Sequence, residues 1–339
     1  MQLLRNADLK SYNTFGIAAK AELLARFGSV ADLRSLLTVP ELADRPRLVL
    51  GGGSNVLFTH DFQGVVLLNE IPGIDVINED ERTVLVKAGA GVVWHELVLY
   101  CVQHGFGGIE NLSLIPGKVG AAPMQNIGAY GVEIKDTFHS LEALRTSDGE
   151  VITFDKAACN FGYRESFFKR EGRDRFVILS VTFQLNKAPH ALNTSYGNII
   201  DELERTGITQ PTITDVSNAV IAIRRSKLPD PTLLGNAGSF FKNPVVPKAL
   251  AEKIKASYPD AVAYPAGDGL MKLAAGWLIE KAGWKGHRAG ACGVHDRQAL
   301  VIVNHGGATG QAVYDLSEQV LQSVKDRFGV ELEREVNIL

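Results

Sequence analysis

The sequence reads as a mixed α/β protein of two or three domains. Three observations carry this. The chain is 339 residues long, more than a single core usually serves. Strand-like and helix-like segments alternate over residues 20–70, as a β-α-β unit requires. The proline- and glycine-rich stretch Leu228–Ser239 reads as a boundary between domains, and past it helical patterns predominate.

The elements follow in order. Ala21–Phe27 reads as a strand, Val30–Val39 as a helix, and Arg47–Leu50 as a strand running into a glycine turn. Val65–Glu70 and Thr83–Gly91 are further strands. Val92–Gly105 is a helix ended by Gly105. Gly107–Lys135 is glycine-rich, without sustained periodicity, yet too apolar for disorder. It is therefore expected to be an ordered loop that wraps a ligand. Arg175–Leu185 is a strong strand. Pro211–Leu228 is an amphipathic helix, with Pro211 near its start and Leu-Pro-Asp-Pro after it. Two helices (Val246–Tyr258 and Met271–Gly283), a strand (Ala299–His305), a long helix (Thr309–Gly329) and a terminal strand (Glu331–Leu339) complete the expectation.

Composition excludes several classes. With 35 basic and 38 acidic residues the net charge is −3, without the basic excess of a nucleic-acid binder. At 45% hydrophobic residues the chain is too apolar for general disorder. Apolar runs are short: Val177–Val181 is interrupted by Ser180, far below a bilayer span. Charges near the N-terminus fall where a signal peptide needs apolar residues, so a cytoplasmic protein is expected. Cys101, Cys159 and Cys292 are widely spaced and read as reduced thiols.

Several motifs bear on chemistry. Gly51, Gly52, Gly53, Ser54 and Asn55 directly follow a strand, where bare backbone can approach a phosphate. A tight turn is the plain alternative. No Gly-Lys-Ser/Thr follows, and the third glycine of a dinucleotide fingerprint is missing. Gly89-Ala-Gly91 fails the same test at Trp94, so an ordinary Rossmann site is disfavoured. Ile115–Gly131 can present many backbone donors to an extended ligand, with Gln125 and Asn126 able to bond a heteroaromatic edge; a self-packed loop is the alternative. Arg164 could bind a carboxylate bidentately, or form a solvated surface pair. Ser239 lies outside any nucleophile elbow, so a hydrolase triad is not indicated. His287, Cys292 and His295 have no fourth ligand nearby in sequence, and no metal site is expected.

In order along the chain, NTFGI, LGGGSN, AGAGVVWHELV, GGIENLSLIPGKVGAAPMQNIGAYGVEI, YRESFFK, RRSKLPDP, GNAGSFFKNP, KLAAGWLIEKAG and the terminal EREV resemble the UDP-N-acetylenolpyruvoylglucosamine reductase family, MurB, over nearly the whole length. TSYGN (Thr194–Asn198) resembles its longer, type I subgroup.

The resemblance implies an α+β flavoprotein fold of the vanillyl-alcohol-oxidase/PCMH type. FAD-binding subdomains would occupy 1–72 and 73–218, and an α/β substrate-binding domain 229–328. Residues 329–339 would form a C-terminal strand returning to the active site. It implies FAD as cofactor and NADPH as hydride source. The substrate would be UDP-N-acetylglucosamine enolpyruvate, reduced to UDP-N-acetylmuramate for peptidoglycan. A monomer is expected, with no nucleic-acid or membrane partner.

Residue by residue, the resemblance makes Ser239 the proton donor to the α-carbon, with Arg164 and Glu335 stabilising the enolate. The FAD site would use Gly51, Gly52, Gly53, Ser54 and Asn55. From the long loop it would draw on Ile115, Pro116, Gly117, Val119, Gly120 and Ala121, then Gln125, Asn126, Gly128 and Gly131. The sugar nucleotide would meet Tyr196, Arg224, Lys227 and Asn243, together with Tyr264, Lys272 and Gln298; the cationic members suit a diphosphate. Where some relatives carry hydroxyl residues in the flavin loop, this chain has Ala121 and Ala122, so backbone N–H groups must serve there. A flavin oxidase of the same fold and a non-catalytic flavin-binding module are the rival readings.

Overall fold

The computed structural model describes residues 2–339, and the chain divides into two compact units. The first comprises residues 1–7, 21–52 and 63–226; the second comprises 8–20, 53–62 and 227–339.

The first unit holds two sheets. The smaller orders its strands Leu3–Asp8, Lys20–Phe27, Phe62–Asn69, Arg47–Leu50, with the last two parallel. Leu23, Ala25 and Phe27 alternate onto one face, as a half-buried strand requires. They meet Leu33 and Leu36 of helix Val30–Leu37, whose N-terminus is capped by Ser29 accepting from the Asp32 N–H.

The larger sheet is antiparallel throughout, in the order Val151–Asp155, Phe138–Arg145, Phe176–Asn186, Thr83–Gly89, Ile74–Glu79. Its central strand is buried on both faces, which explains why apolar residues occupy successive positions, with the small polar Ser180 and Thr182 buried among them. A bulge at Leu179 switches the parity: Ile178 faces one core, Val177 and Leu179 the other, and Val181, Phe183 and Leu185 return to the first. Helix Trp94–Gln103 lays Trp94, Leu97, Val98 and Cys101 on this sheet, one helical stripe. Helices Ile199–Arg205 and Ile213–Lys227 pack through Ile199, Leu203, Val216 and Val220.

The second unit has a four-stranded sheet (Gly235–Ser239, Val301–Asn304, Cys292–Val294, Arg288–Ala289) and a three-stranded one (Val245–Pro247, Leu270–Leu273, Ala263–Pro265). Helices Lys248–Ser257, Ala275–Lys281 and Gly310–Phe328 complete it. The last is capped by Thr309 at one end and by left-handed Gly329 at the other. Phe15, Ile17 and Leu57, from the two early segments, lie inside this unit's core. Asn337–Ile338 pairs in parallel with Val56–Leu57.

Three expectations need correction. Met271–Gly283 is not one helix: residues up to Leu273 form the middle strand of the small sheet, and the helix begins at Ala275. Ladder bonds on both sides of that strand outweigh its helical periodicity, and the Asn243 side chain caps the new start by accepting the Ala275 N–H at 2.9 Å. The terminal strand is reduced to Asn337–Ile338 plus a single bridge, Phe241 to Arg334. The Gly235–Ser239 segment, read as a linker, is a strand, because Val301–Asn304 supplies its partner.

All three cysteines are free and buried, and burial pushes the Cys101 and Cys159 thiols up to about 12. Among the described residues no helix is long and apolar enough to cross a membrane.

Candidate active site

In the first unit the two glycine loops lie against each other. A Cβ on Gly52 would stand 3.0 Å from the Gly117 Cα, and one on Gly51 would stand 3.5 Å from the Lys118 Cβ. The loops therefore meet backbone to backbone, leaving peptide edges rather than side chains to line the approach. Gly117 to Gly120 is pinned to the helix start: Trp94 N–H donates to Gly117 O, Val119 N–H to Val92 O and Gly120 N–H to Ala90 O, all within 2.9–3.0 Å. Lys118 reaches back to donate to Asn69 O at 2.9 Å, and burial lowers its pKa.

Further along the loop the roles diverge. Asn126 is fully buried and left-handed (φ 45°), and its side chain serves the loop itself. It donates to Glu133 Oε2 and Gly162 O and accepts from the Lys135 N–H. Gly128 O accepts from Arg164 Nη2 at 2.8 Å. Arg164 is itself left-handed (φ 56°) and lies over the Tyr163 ring. A non-glycine residue there costs of order 1 kcal/mol, a cost commonly found at functional positions. The end of the loop, Tyr130–Gly131, is tied to the segment around Tyr196: Asn111 donates to both Tyr130 O and Asn193 O, and Asn193 donates to Gly131 O. Tyr196 is about half exposed beside it, with its Cβ 3.2 Å from where a Gly131 Cβ would stand.

Arg224 lies on the same side. Desolvation lowers its pKa, and the group that opposes this is the Tyr130 phenol rather than a carboxylate. Burial in turn pushes Tyr130 up. Arg224 Nε donates to Leu114 O at 3.3 Å, while the Leu114 N–H donates to His95 Nδ1 at 3.0 Å. Leu114 is left-handed (φ 58°), which costs about 1–2 kcal/mol. Two hydrogen bonds on its own peptide groups, about 1 kcal/mol each, are enough to hold it. His95 falls within the AGAGVVWHELV motif, which by itself gives this residue no role. The signal was a polar ring in the first turn of a helix that precedes a glycine loop.

The second unit gathers a separate set. Ser239 ends its strand after a bulge, partly buried, followed by the fully buried Phe240 and Phe241. Those two rings fix the backbone beside the serine. The Glu335 N–H donates to Phe240 O at 2.8 Å, and Glu335 O accepts from Asn55 Nδ2 at 3.3 Å. Ser239, Glu335 and Asn55 are thus linked through one stretch of paired backbone. Arg334, next to Glu335, is clamped by Ser317 Oγ at 2.8 Å and Glu318 Oε1 at 2.7 Å, over the Tyr314 ring.

Tyr264 and Lys272 are direct cross-strand partners, so their side chains share one face of the small sheet. Val245 is the partner of Lys272 on the other side. Asn243 caps the helix that follows, and Gln298 Oε1 lies 3.1 Å from where a Gly276 Cβ would stand in that helix. Four of the sequence-predicted residues therefore cluster around Leu270–Gly276. Lys227, at the end of helix Ile213–Lys227, is exposed.

The first unit's donor set fits a large phosphate-bearing cofactor: bare backbone where the glycine loops meet, with Lys118 beside it. Comparison with known proteins agrees. Residues 21–155 match the family profile "FAD binding domain", and residues 230–339 match "UDP-N-acetylenolpyruvoylglucosamine reductase, C-terminal domain". The UDP-N-acetylenolpyruvoylglucosamine reductase of Burkholderia cenocepacia is 54% identical over 337 residues, covering 99% of this chain and 96% of that protein. Those of Pseudomonas aeruginosa (52% over 338 residues, 100% and 99%) and Flavobacterium johnsoniae (50% over 339 residues, 100% of each) are similar throughout. The crystal structure of the Thermus caldophilus enzyme superposes with a TM-score of 0.68 at 22% identity, over 99% of this chain and 98% of that one, which establishes the shared fold.

The protein is an FAD-dependent oxidoreductase with the α+β flavoprotein fold of the vanillyl-alcohol-oxidase/PCMH type. The chain belongs to the UDP-N-acetylenolpyruvoylglucosamine reductase family.

Proposed function

We propose that this enzyme uses NADPH to reduce UDP-N-acetylglucosamine enolpyruvate to UDP-N-acetylmuramate, a step toward peptidoglycan, in the cytoplasm and as a monomer. FAD, when bound, supplies the hydride to the enolpyruvyl β-carbon. Every other part of the chemistry falls to side chains of this chain. As negative charge develops on the α-carbon and its carboxylate, Arg164 opposes it electrostatically, and Glu335, protonated, donates to the developing enolate. Ser239 Oγ then delivers a proton to the α-carbon.

The observation that carries this reading is the hydrogen bond from the Glu335 N–H to Phe240 O, which holds the glutamate beside the residue that follows Ser239. An acid and a proton donor fixed on adjacent backbone suit general acid catalysis.

The FAD site is assigned to Gly51–Asn55 and the Ile115–Gly131 loop, where the polar work falls mainly to backbone. Asn126 contributes by shaping that loop. Arg224, Lys227 and Lys272 are assigned to the sugar nucleotide's diphosphate, with Asn243 and Gln298 orienting the polar part. Tyr196 and Tyr264 would cover its rings. The division into 1–72, 73–218, 229–328 and 329–339 is proposed as the functional one. It places both FAD subdomains ahead of the substrate-binding residues of the last third.

The test is an anaerobic visible spectrum of the purified protein. Bleaching of the flavin bands by NADPH, and their return on adding UDP-N-acetylglucosamine enolpyruvate, is the expected result. Bands that return only with oxygen would instead mark an oxidase.

A further inference from the structure

His95 stands outside the assignments above, yet its ring is a structural partner of the flavin loop. Its Nδ1 accepts the Leu114 N–H at 3.0 Å. An atom that accepts from an amide carries no proton, so the proton of the neutral ring is on Nε2. Leu114 immediately precedes Ile115, and its left-handed backbone (φ 58°) sets the direction in which the loop leaves. The carbonyl side of Leu114 is held by Arg224. Neighbouring residues are anchored by groups insensitive to mild acid: Leu112 O accepts from Trp94 Nε1, Ser113 Oγ pairs with Ser217 Oγ, and Gly117 O accepts from the Trp94 N–H. The Leu114 amide is thus the point in this run whose partner can lose its acceptor by titrating.

We propose that His95 is a positioning residue for the FAD-binding loop: its unprotonated Nδ1 fixes the backbone turn at Leu114, and protonation of the ring releases that turn and loosens FAD. The inference rests on the flavin reading of this loop. Protonated, Nδ1 becomes a donor facing another donor, and the turn loses the bond that offsets its strain. The charged groups facing the ring are Arg224 and Arg225 of helix Ile213–Lys227 and Glu96 of its own helix. Desolvation, together with the two arginines, outweighs Glu96 and lowers the imidazole pKa, so the ring is neutral at physiological pH and the release belongs to the acid side.

The experiment follows flavin fluorescence of the holoenzyme as pH is lowered, in unchanged protein, His95→Asn and His95→Ala. Asparagine offers an acceptor near the Nδ1 position that does not titrate in this range. Unchanged protein should release FAD in a one-proton step below the ordinary histidine range. His95→Asn should hold FAD through that step. His95→Ala should bind FAD about tenfold more weakly at neutral pH, with no step. A His95→Asn protein that releases FAD over the same range as unchanged protein would overturn the proposal, as would a His95→Ala protein that holds FAD normally. Should the variants fold poorly, the 15N shifts of His95 in unchanged holoenzyme decide: a protonated Nδ1 at neutral pH would equally overturn it. A protein that binds no FAD at neutral pH would instead remove the flavin reading itself.

Discussion

Glu335 and Phe240 are joined by a 2.8 Å hydrogen bond from the glutamate N–H to the phenylalanine carbonyl. The bond belongs to a short antiparallel contact, in which the Lys242 N–H also donates to Glu333 O. It fixes the Glu335 backbone beside the residue that follows Ser239, next to the two buried rings of Phe240 and Phe241. The catalytic proposal can be tested at each of these points.

Ser239→Ala should slow reoxidation of the reduced flavin by the sugar nucleotide by roughly 10²–10⁴-fold, the usual worth of a positioned general acid. Reduction by NADPH should persist. Stopped-flow absorbance separates the two half-reactions; equal losses in both would point to a damaged fold instead.

Arg334→Ala removes a guanidinium held by Ser317, Glu318 and the Tyr314 ring. The clamp keeps the neighbouring Glu335 in register. Turnover should fall while KM for NADPH stays near its original value, and stability should drop by about 1–2 kcal/mol. Steady-state kinetics and urea unfolding measure the two effects, and unchanged turnover would detach Arg334 from Glu335.

Gly53→Ala should be far more damaging than Gly290→Ala. Both glycines are left-handed, at φ 59° and 61°. A Cβ on Gly53 would stand 1.9 Å from Tyr12 O, however, while one on Gly290 meets nothing within 4 Å. Strain alone should cost Gly290→Ala about 1 kcal/mol. The added backbone clash should take Gly53→Ala to roughly 3 kcal/mol or more. Thermal unfolding of the two variants gives the difference directly.

Glu142 supplies a dependence on acid. Lys87 donates to its carboxylate at 2.7 Å and Ser180 at 2.9 Å, and the Lys87 bond leads in lowering its pKa. Because the folded carboxyl titrates below its unfolded value, the contribution is whole above the ordinary carboxylate range. It fades as pH falls through the folded value. Glu142→Gln should therefore flatten the acid limb of a stability–pH curve. Above neutral pH it should cost under about 1 kcal/mol, since both partners are partly exposed.

Much of the fold was legible where one period dominated. The doubly buried strand Phe176–Asn186 announces itself by its dense apolar run and the capped helix Gly310–Phe328 by its helical periodicity. Lys272 shows what local pattern misses. Its neighbours read as helical, but ladder bonds to Val245–Pro247 and Ala263–Pro265 make it a strand residue beside Tyr264. The strand at Gly235–Ser239 was invisible for the opposite reason: glycine and serine carry no strand signal, and Val301–Asn304 supplies the order. The glycine loops were visible as loops, while the inward turn of Asn126 depends on Glu133 and Gly162, which sequence distance hides. His95 was legible only as a residue type, because its partner, the Leu114 N–H, lies 19 residues further along the chain.

The early segments 8–20 and 53–62 belong to the second unit, where Phe15, Ile17 and Leu57 complete a core built mostly from residues after 227. On the ribosome these pieces emerge long before the helices that enclose them. They must wait, apolar and uncovered, through the synthesis of residues 63–226. No single cut of the gene yields a fragment containing either unit alone. A stretch beginning near residue 227 would leave its own interior open where Phe15 and Leu57 should stand. Splitting this enzyme for expression would call for a circular permutation or a graft of the two segments rather than a truncation.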